Sequence, residues 1–85
     1  MELETEIIKN VEYLLKSAKD RKIDQGRLVC EKTIESLQMA KSKLDIEKLL
    51  KKFNRVYSGI EAHGSLTAEE FQIIKELRKL ENHEQ

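Results

Sequence analysis

Histidine and cysteine are the residue types in this sequence best suited to acid–base, nucleophilic or metal-binding chemistry, and they are few. His63 and His83 have no evident partner for proton transfer. Each follows a glutamate, Glu61 or Glu81, by two residues, whereas the Glu-x-x-His pairs of di-iron bundles share one helix face. Cys30 falls on the apolar face of a predicted helix, where a free cysteine usually behaves as a small hydrophobic residue rather than a reactive thiol. We therefore expect neither an enzyme nor a metal or cofactor site.

Basic residues have the clearer pattern for binding. Spacings of three and four place a basic strip on the outer face of the third predicted helix, and the fourth helix repeats the theme weakly. Such charges most often serve solubility alone, but they also suit docking on an acidic protein or on the anionic inner face of a membrane. His63, in the loop before the last helix, is a further candidate, because loops on rigid scaffolds often carry binding residues. The candidate partner-binding residues are Lys48, Lys51, Lys52, Arg55, His63, Arg78 and Lys79.

The elements that must position these residues are helices. The chain has no proline and three glycines, and its apolar residues recur at spacings of three and four, which predicts amphipathic helices. They span about residues 3–19, 25–41, 46–62 and 68–81. The connections are short, so sequential helices are expected to be antiparallel. The predicted fold is all-α: one domain, residues 1–85, forming an antiparallel up-down-up-down four-helix bundle.

The last three predicted helices share a start signal. An apolar residue precedes an Asp or Thr N-cap, and a second apolar residue follows one turn later and packs on the first. The caps and the later apolar residues are Asp24 with Leu28, Asp45 with Leu49, and Thr67 with Phe71. Glu70 stands three residues after Thr67 and completes a capping box there. The apolar periodicity also predicts which side chains point inward. They include Leu28, Leu49 and Phe71 from these pairs, together with Ala40 on the second helix and Val56 on the third.

Charge and cysteine content restrict the partners and the compartment. Sixteen basic and sixteen acidic residues give a net charge of zero, without the basic excess that nucleic-acid binding uses. We expect no nucleic-acid partner, and a monomer or a weak homodimer. A single cysteine favours a reducing compartment. The acidic N-terminus is unlike a secretory signal, and no apolar run approaches the roughly 20 residues that span a bilayer, so a cytoplasmic location is expected.

The C-terminal half resembles a known family. The segment Leu49-Leu50-Lys51-Lys52-Phe53-Asn54-Arg55-Val56-Tyr57 is followed by a short connection and by Leu66-Thr67-Ala68-Glu69-Glu70, which opens a final helix through Leu77 and Leu80. This arrangement resembles the immunity proteins of pediocin-like (class IIa) bacteriocins, of the enterocin A type. Four amphipathic helices of similar length extend the likeness, as a pattern, over residues 6 to 82.

The resemblance implies a cytosolic bundle that protects a Gram-positive bacterium from its own bacteriocin. Proteins of that family act without catalysis at the inner membrane face, on the mannose phosphotransferase permease with bound bacteriocin, and their specificity lies in the C-terminal half. No binding residue is carried over by motif, so the candidates above rest on their predicted exposure. The alternative is a small regulatory protein, phage- or stress-encoded, that inhibits a partner protein through a helical face.

Overall fold

Four helices make up the regular structure of the chain. The computed structural model describes residues 2–62 and 66–82, and within these ranges every regular element is a helix. α1 spans Glu2–Asp20, α2 spans Asp24–Gln38, α3 spans Lys43–Ala62 and α4 spans Ala68–Asn82. Each helix contacts the next along the chain, and α1 also contacts α4, so that the four surround a common core. The all-α four-helix arrangement predicted from the sequence is confirmed.

The core is aliphatic, with one pair of aromatic rings. Phe53 and Tyr57 stack with their ring centroids 4.8 Å apart, and rings of this size bury a large apolar area. All four helices contribute at spacings of three, four and seven, which is the periodicity of one helix face. The buried apolar residues are Ile7, Val11, Leu14, Ala18, Cys30, Leu37, Ile46, Leu50, Phe53, Tyr57, Ile60, Ile74 and Leu77.

Contacts far from the connections indicate the relative directions of the helices. Cys30, in the first half of α2, lies against Tyr57 near the end of α3, with the thiol sulfur 3.5 Å from the phenolic oxygen. Arg21, just past the end of α1, bonds to Glu70 in the first turn of α4. In both pairs the first half of one helix meets the end of another, which agrees with the predicted up-down-up-down order.

Two of the three predicted N-caps are wrong. The residue that caps α2 is Ile23, which makes no side-chain hydrogen bond, and Asp24 is already helical. α3 begins at Lys43, about one turn earlier than predicted. The N-cap is Ser42 rather than Asp45, because the hydroxyl of Ser42 accepts a backbone N–H in the first turn that has no partner within the helix. The backbone N–H of Asp45 donates to Ser42 Oγ at 3.2 Å, and the N–H of Lys41 donates to Asp45 Oδ2 at 3.3 Å. A serine can cap a helix as well as an aspartate.

The third predicted cap is confirmed, and one predicted helix end is wrong. The N–H of Glu70 donates to Thr67 Oγ1 at 3.1 Å, and the N–H of Thr67 donates to Glu70 Oε1 at 2.8 Å, which is the reciprocal geometry of a capping box. α2 ends at Gln38, three residues before the predicted end. There the N–H groups of Met39 and Ala40 bond three residues back, and such tightened turns commonly close a helix.

Three residues predicted to point inward are exposed instead: Leu28 by 56%, Val56 by 36% and Phe71 by 37%. Leu28 is two residues from buried Cys30, which at about 100° per residue places it on the opposite side of α2. Phe71 directly follows Glu70, whose carboxylate occupies the inward position. Ala40 and Leu49 are only partly buried, packed against the edge of the core.

Candidate functional site

The basic strip predicted on α3 is exposed. Lys48, Lys51, Lys52 and Arg55 all lie at the surface, because the core-facing stripe of α3 runs on the other side of the helix. The strip does not form one surface, however. Successive residues point about 100° apart, and the strip divides between a groove that α3 forms with α4 and a groove that it forms with α2.

The groove between α3 and α4, called here the α3–α4 groove, has a volume of about 290 Å³. It brings together three of the predicted residues, Lys51 and Arg55 from α3 and Arg78 from α4. The guanidinium of Arg78 donates to Ser58 Oγ at 3.0 Å, and this hydroxyl donates to a backbone carbonyl one turn earlier at 2.8 Å. One of the three cations is therefore held in place by the helix that it faces. The groove is lined by Lys51, Asn54, Arg55, Ser58, Arg78 and Glu81.

Asn54 lies at the base of this groove and is 5% exposed. Its Nδ2 donates to the carbonyl oxygen of Leu77 at 3.3 Å and to Glu81 Oε1 at 2.8 Å, which ties α3 to α4. Its Oδ1 is buried and has no hydrogen-bond partner among the described residues. Buried polar atoms are nearly always satisfied in folded proteins, so this oxygen is an exception at the base of the groove.

Sequence reasoning missed the role of Asn54, although its spacing carried a signal. It follows Leu50 by four residues and precedes Tyr57 by three, which places a polar side chain at the edge of the apolar stripe. A polar residue at such a position needs partners from a neighbouring helix. The signal predicts a buried hydrogen bond, but it does not identify Leu77 and Glu81 as the partners.

The groove between α2 and α3, called here the α2–α3 groove, receives Lys52 and Lys48. One part has a volume of about 210 Å³ and the other about 430 Å³. Ser36 and Leu49 line both parts, so the two are continuous along the helices. Its lining is mainly apolar, in contrast to the α3–α4 groove.

The last two predicted binding residues do not join these surfaces. Lys79 is exposed, and its Nζ lies 3.6 Å from a carboxylate oxygen of Glu76. An exposed ion pair of this kind contributes little to stability, and Lys79 is not among the residues that line the α3–α4 groove. His63 lies outside the described residues.

A second polar cluster lies between α1 and α4, centred on Glu70, which is 1% exposed. Its carboxylate accepts hydrogen bonds from Ser17 Oγ and from the guanidinium of Arg21 in addition to the backbone N–H of Thr67. Burying a carboxylate is costly unless hydrogen bonds satisfy its oxygens, and these three bonds do so. Its hydrogen bonds come from the chain itself, and the cluster is therefore structural.

Cys30 is buried and free, as the sequence predicted. Burial raises the pKa of its thiol from 9.0 to about 11, because the core disfavours the thiolate. Burial also raises the pKa of the neighbouring Tyr57 hydroxyl. A thiol with so high a pKa is a weak nucleophile, and Cys30 therefore acts as a packing residue beside Tyr57.

In residues 2–62 and 66–82, no three or more His, Cys, Asp or Glu side chains are grouped so as to hold a metal ion. None of the helices described there combines the length and apolarity needed to cross a bilayer. The fold and its grooves define the class of the chain as an all-α four-helix bundle with basic residues along its third helix. Comparisons with models of protein families, with curated proteins and with solved structures found no match.

Proposed function

We propose that this chain is a non-catalytic binding protein of the bacteriocin-immunity type. It protects a producer cell by binding, at the cytoplasmic face, to a complex between the bacteriocin and its receptor. The observation that carries the proposal is the α3–α4 groove. There Lys51, Arg55 and Arg78 come together from the two helices that resemble immunity proteins.

The groove suits an anionic protein surface. Arg78 is fixed by Ser58, and a side chain that is already ordered loses less conformational entropy when a partner binds. The exposed cations Lys51 and Arg55 also speed encounter with an acidic partner and suppress encounter with a basic one. The partner that the resemblance implies is the mannose phosphotransferase permease with bound bacteriocin, and the proposal includes no nucleic acid.

The exposed lysines Lys48 and Lys52 add to this proposal a contact with the inner membrane face. Anionic lipids attract basic residues near the surface by roughly 1 kcal/mol each. Such a contact would hold the protein beside a membrane-embedded receptor without insertion. In this proposal the protein works in the cytoplasm and needs no acid–base residue or cofactor, because occupying the receptor complex is enough to prevent killing.

Expression in a sensitive Gram-positive strain tests the proposal. Cells that produce the chain are challenged with a panel of class IIa bacteriocins and with one bacteriocin of another class. Survival against one or two members of the panel, with killing by the unrelated bacteriocin, is the expected result. Uniform killing of cells shown to contain the folded protein would overturn the proposal.

A second candidate function is that of a small regulatory protein, phage- or stress-encoded, that inhibits a partner protein through a helical face. The apolar lining of the α2–α3 groove favours it, because apolar grooves between helices are common docking sites for partner helices. A pull-down with the tagged protein separates the two functions. Recovery of a transcription or replication factor without the permease would support the regulatory protein.

A further inference from the structure

The α2–α3 groove combines an apolar floor with a basic rim. Its floor continues from α2 onto α3 and includes Met39, just past the end of α2, which is 72% exposed, and Val56, which is 36% exposed. Large apolar side chains exposed along a groove are typical of a binding surface. The apolar residues that line the groove are Val29, Met39, Ala40, Leu49, Phe53 and Val56.

The charges around this floor are nearly all positive. Lys32, Lys48 and Lys52 line the groove and are exposed. None of the three makes an ion pair with another described residue. Asp45 is the one carboxylate among the described lining residues, and its Oδ2 already accepts a hydrogen bond from the backbone N–H of Lys41. The rim is therefore complementary to an acidic partner.

We propose that the α2–α3 groove binds a short amphipathic helix with acidic flanks, supplied by a partner protein. From Asp45 to Val56 the groove follows α3 for about 16 Å, which matches about three turns of a bound helix. Apolar side chains at positions i, i+4 and i+7 of that helix would rest on Val29, Leu49 and Val56. Acidic residues on its two flanks would face the lysines of the rim.

The concave shape favours a helix over a lipid surface as the occupant of the groove, and the membrane contact proposed above for Lys48 and Lys52 is an alternative use of the same rim. A bilayer is flat on the scale of this groove and would meet the rim lysines without reaching the partly buried Leu49. The inference rests on the proposed function in one respect, because both make the chain a binding protein. Its test uses no bacteriocin, so the two can fail separately.

The test is a selection from a phage-displayed library of amphipathic helices. Apolar residues are fixed at i, i+4 and i+7, and the flanking positions are randomised. The best selected peptide is then titrated into the ¹⁵N-labelled protein, and its affinity is measured by fluorescence anisotropy. The variant Lys32→Glu/Lys52→Glu reverses the rim charge, and Lys9→Glu/Lys16→Glu makes the same charge change at exposed positions of α1.

The expected result is enrichment of Asp and Glu at the flanking positions and chemical-shift changes centred on Val29, Leu49 and Val56. Charge reversal of the rim should weaken binding at least about tenfold, while the α1 variant should bind like the natural chain. Absence of enrichment, enrichment of basic flanks, or shifts centred elsewhere would overturn the proposal. The proposal would also be overturned if vesicles of anionic and zwitterionic lipid shifted the resonances of the groove residues and the selected peptide did not.

Discussion

The guanidinium of Arg21, just past the end of α1, donates a hydrogen bond to the buried carboxylate of Glu70 in the first turn of α4. The same carboxylate accepts from Ser17 on α1 and from the backbone N–H of Thr67. One side chain therefore caps α4 and fastens it to α1. This attachment fixes the position of the helix that carries Arg78 into the α3–α4 groove.

Replacing Glu70 with alanine should destabilise the fold strongly. The change removes the acceptor of the Thr67 N–H in the capping box, the acceptor of the Ser17 hydroxyl and one partner of Arg21, at a cost of about 2 to 4 kcal/mol. Urea unfolding followed by circular dichroism measures the loss. The neighbouring Glu69→Ala is the control, because Glu69 is exposed and its removal should cost less than about 1 kcal/mol. Equal losses for the two variants would refute the structural role given to Glu70.

Two helical glycines should respond oppositely to alanine. A Cβ on Gly26 would lie 3.0 Å from the Tyr57 hydroxyl oxygen and 3.5 Å from the Cβ of Ala18. Because the ring of Tyr57 is buried and stacked on Phe53, Gly26→Ala should destabilise the bundle by about 1 to 2 kcal/mol. Among the described residues beyond its own helical turn, a Cβ on Gly59 meets no atom within 4 Å.

The matched variant Gly59→Ala should therefore stabilise the bundle by about 0.5 to 1 kcal/mol, the usual gain from replacing glycine inside a helix. Thermal and urea unfolding of both variants measure the difference. Stabilisation by Gly26→Ala would show that the helices separate more easily at Tyr57 than their packing indicates.

Alkaline pH should weaken the fold through its core. Burial raises the pKa of Cys30 from 9.0 to about 11 and raises the pKa of Tyr57 above its usual value of 10.0. The unfolded chain loses these protons at lower pH than the folded chain does. The stabilisation is therefore complete below about pH 9 and is lost progressively as the pH rises towards 11 and beyond.

Urea unfolding at a series of pH values measures this loss, with Cys30→Ala as the test variant. The variant starts from lower stability at neutral pH, because a small buried side chain has been shortened. Its stability should then fall less steeply than that of the natural chain between about pH 9 and pH 11. Parallel curves for the two proteins would mean that the thiol of Cys30 ionises as easily in the fold as out of it.

The sequence predicted features that depend on residues close together in the chain. The capping box was predictable because Thr67 and Glu70 are three residues apart, and the basic strip because its members recur at helical spacing. Ser17 on α1 and Arg21 just past its end are 53 and 49 residues away from Glu70, and no local pattern identifies them as its partners. Leu28 and Phe71 were wrongly predicted to point inward for a similar reason. Each forms the expected apolar pair around a helix start, and that local pattern is satisfied whether or not a neighbouring helix covers the side chain.

The α3–α4 groove was only half predictable. Lys51 and Arg55 are exposed together because they are four residues apart on one helix. Arg78 lines the groove and Lys79 does not. This difference depends on how α4 packs against α3. That packing is set in part by Asn54, whose hydrogen bonds to Leu77 and Glu81 cross between the helices.

If the proposed function is correct, reversing the charge of the α3–α4 groove should abolish the protection of a sensitive strain against a class IIa bacteriocin. Lys51→Glu/Arg55→Glu changes two exposed residues, so the fold should be retained, as circular dichroism can check. Like charges facing an acidic partner weaken binding by at least about tenfold. The control is Lys9→Glu/Lys16→Glu, which places the same change on α1.

The most direct test of the account is the minimal inhibitory concentration of a class IIa bacteriocin against a sensitive strain that expresses the natural chain, the groove variant or the α1 variant. We expect a raised concentration with the natural chain and with the α1 variant, and the level of the unprotected strain with the groove variant. A natural chain that is expressed and folded but gives no protection against any class IIa bacteriocin would contradict it. Full protection by the groove variant would also contradict it.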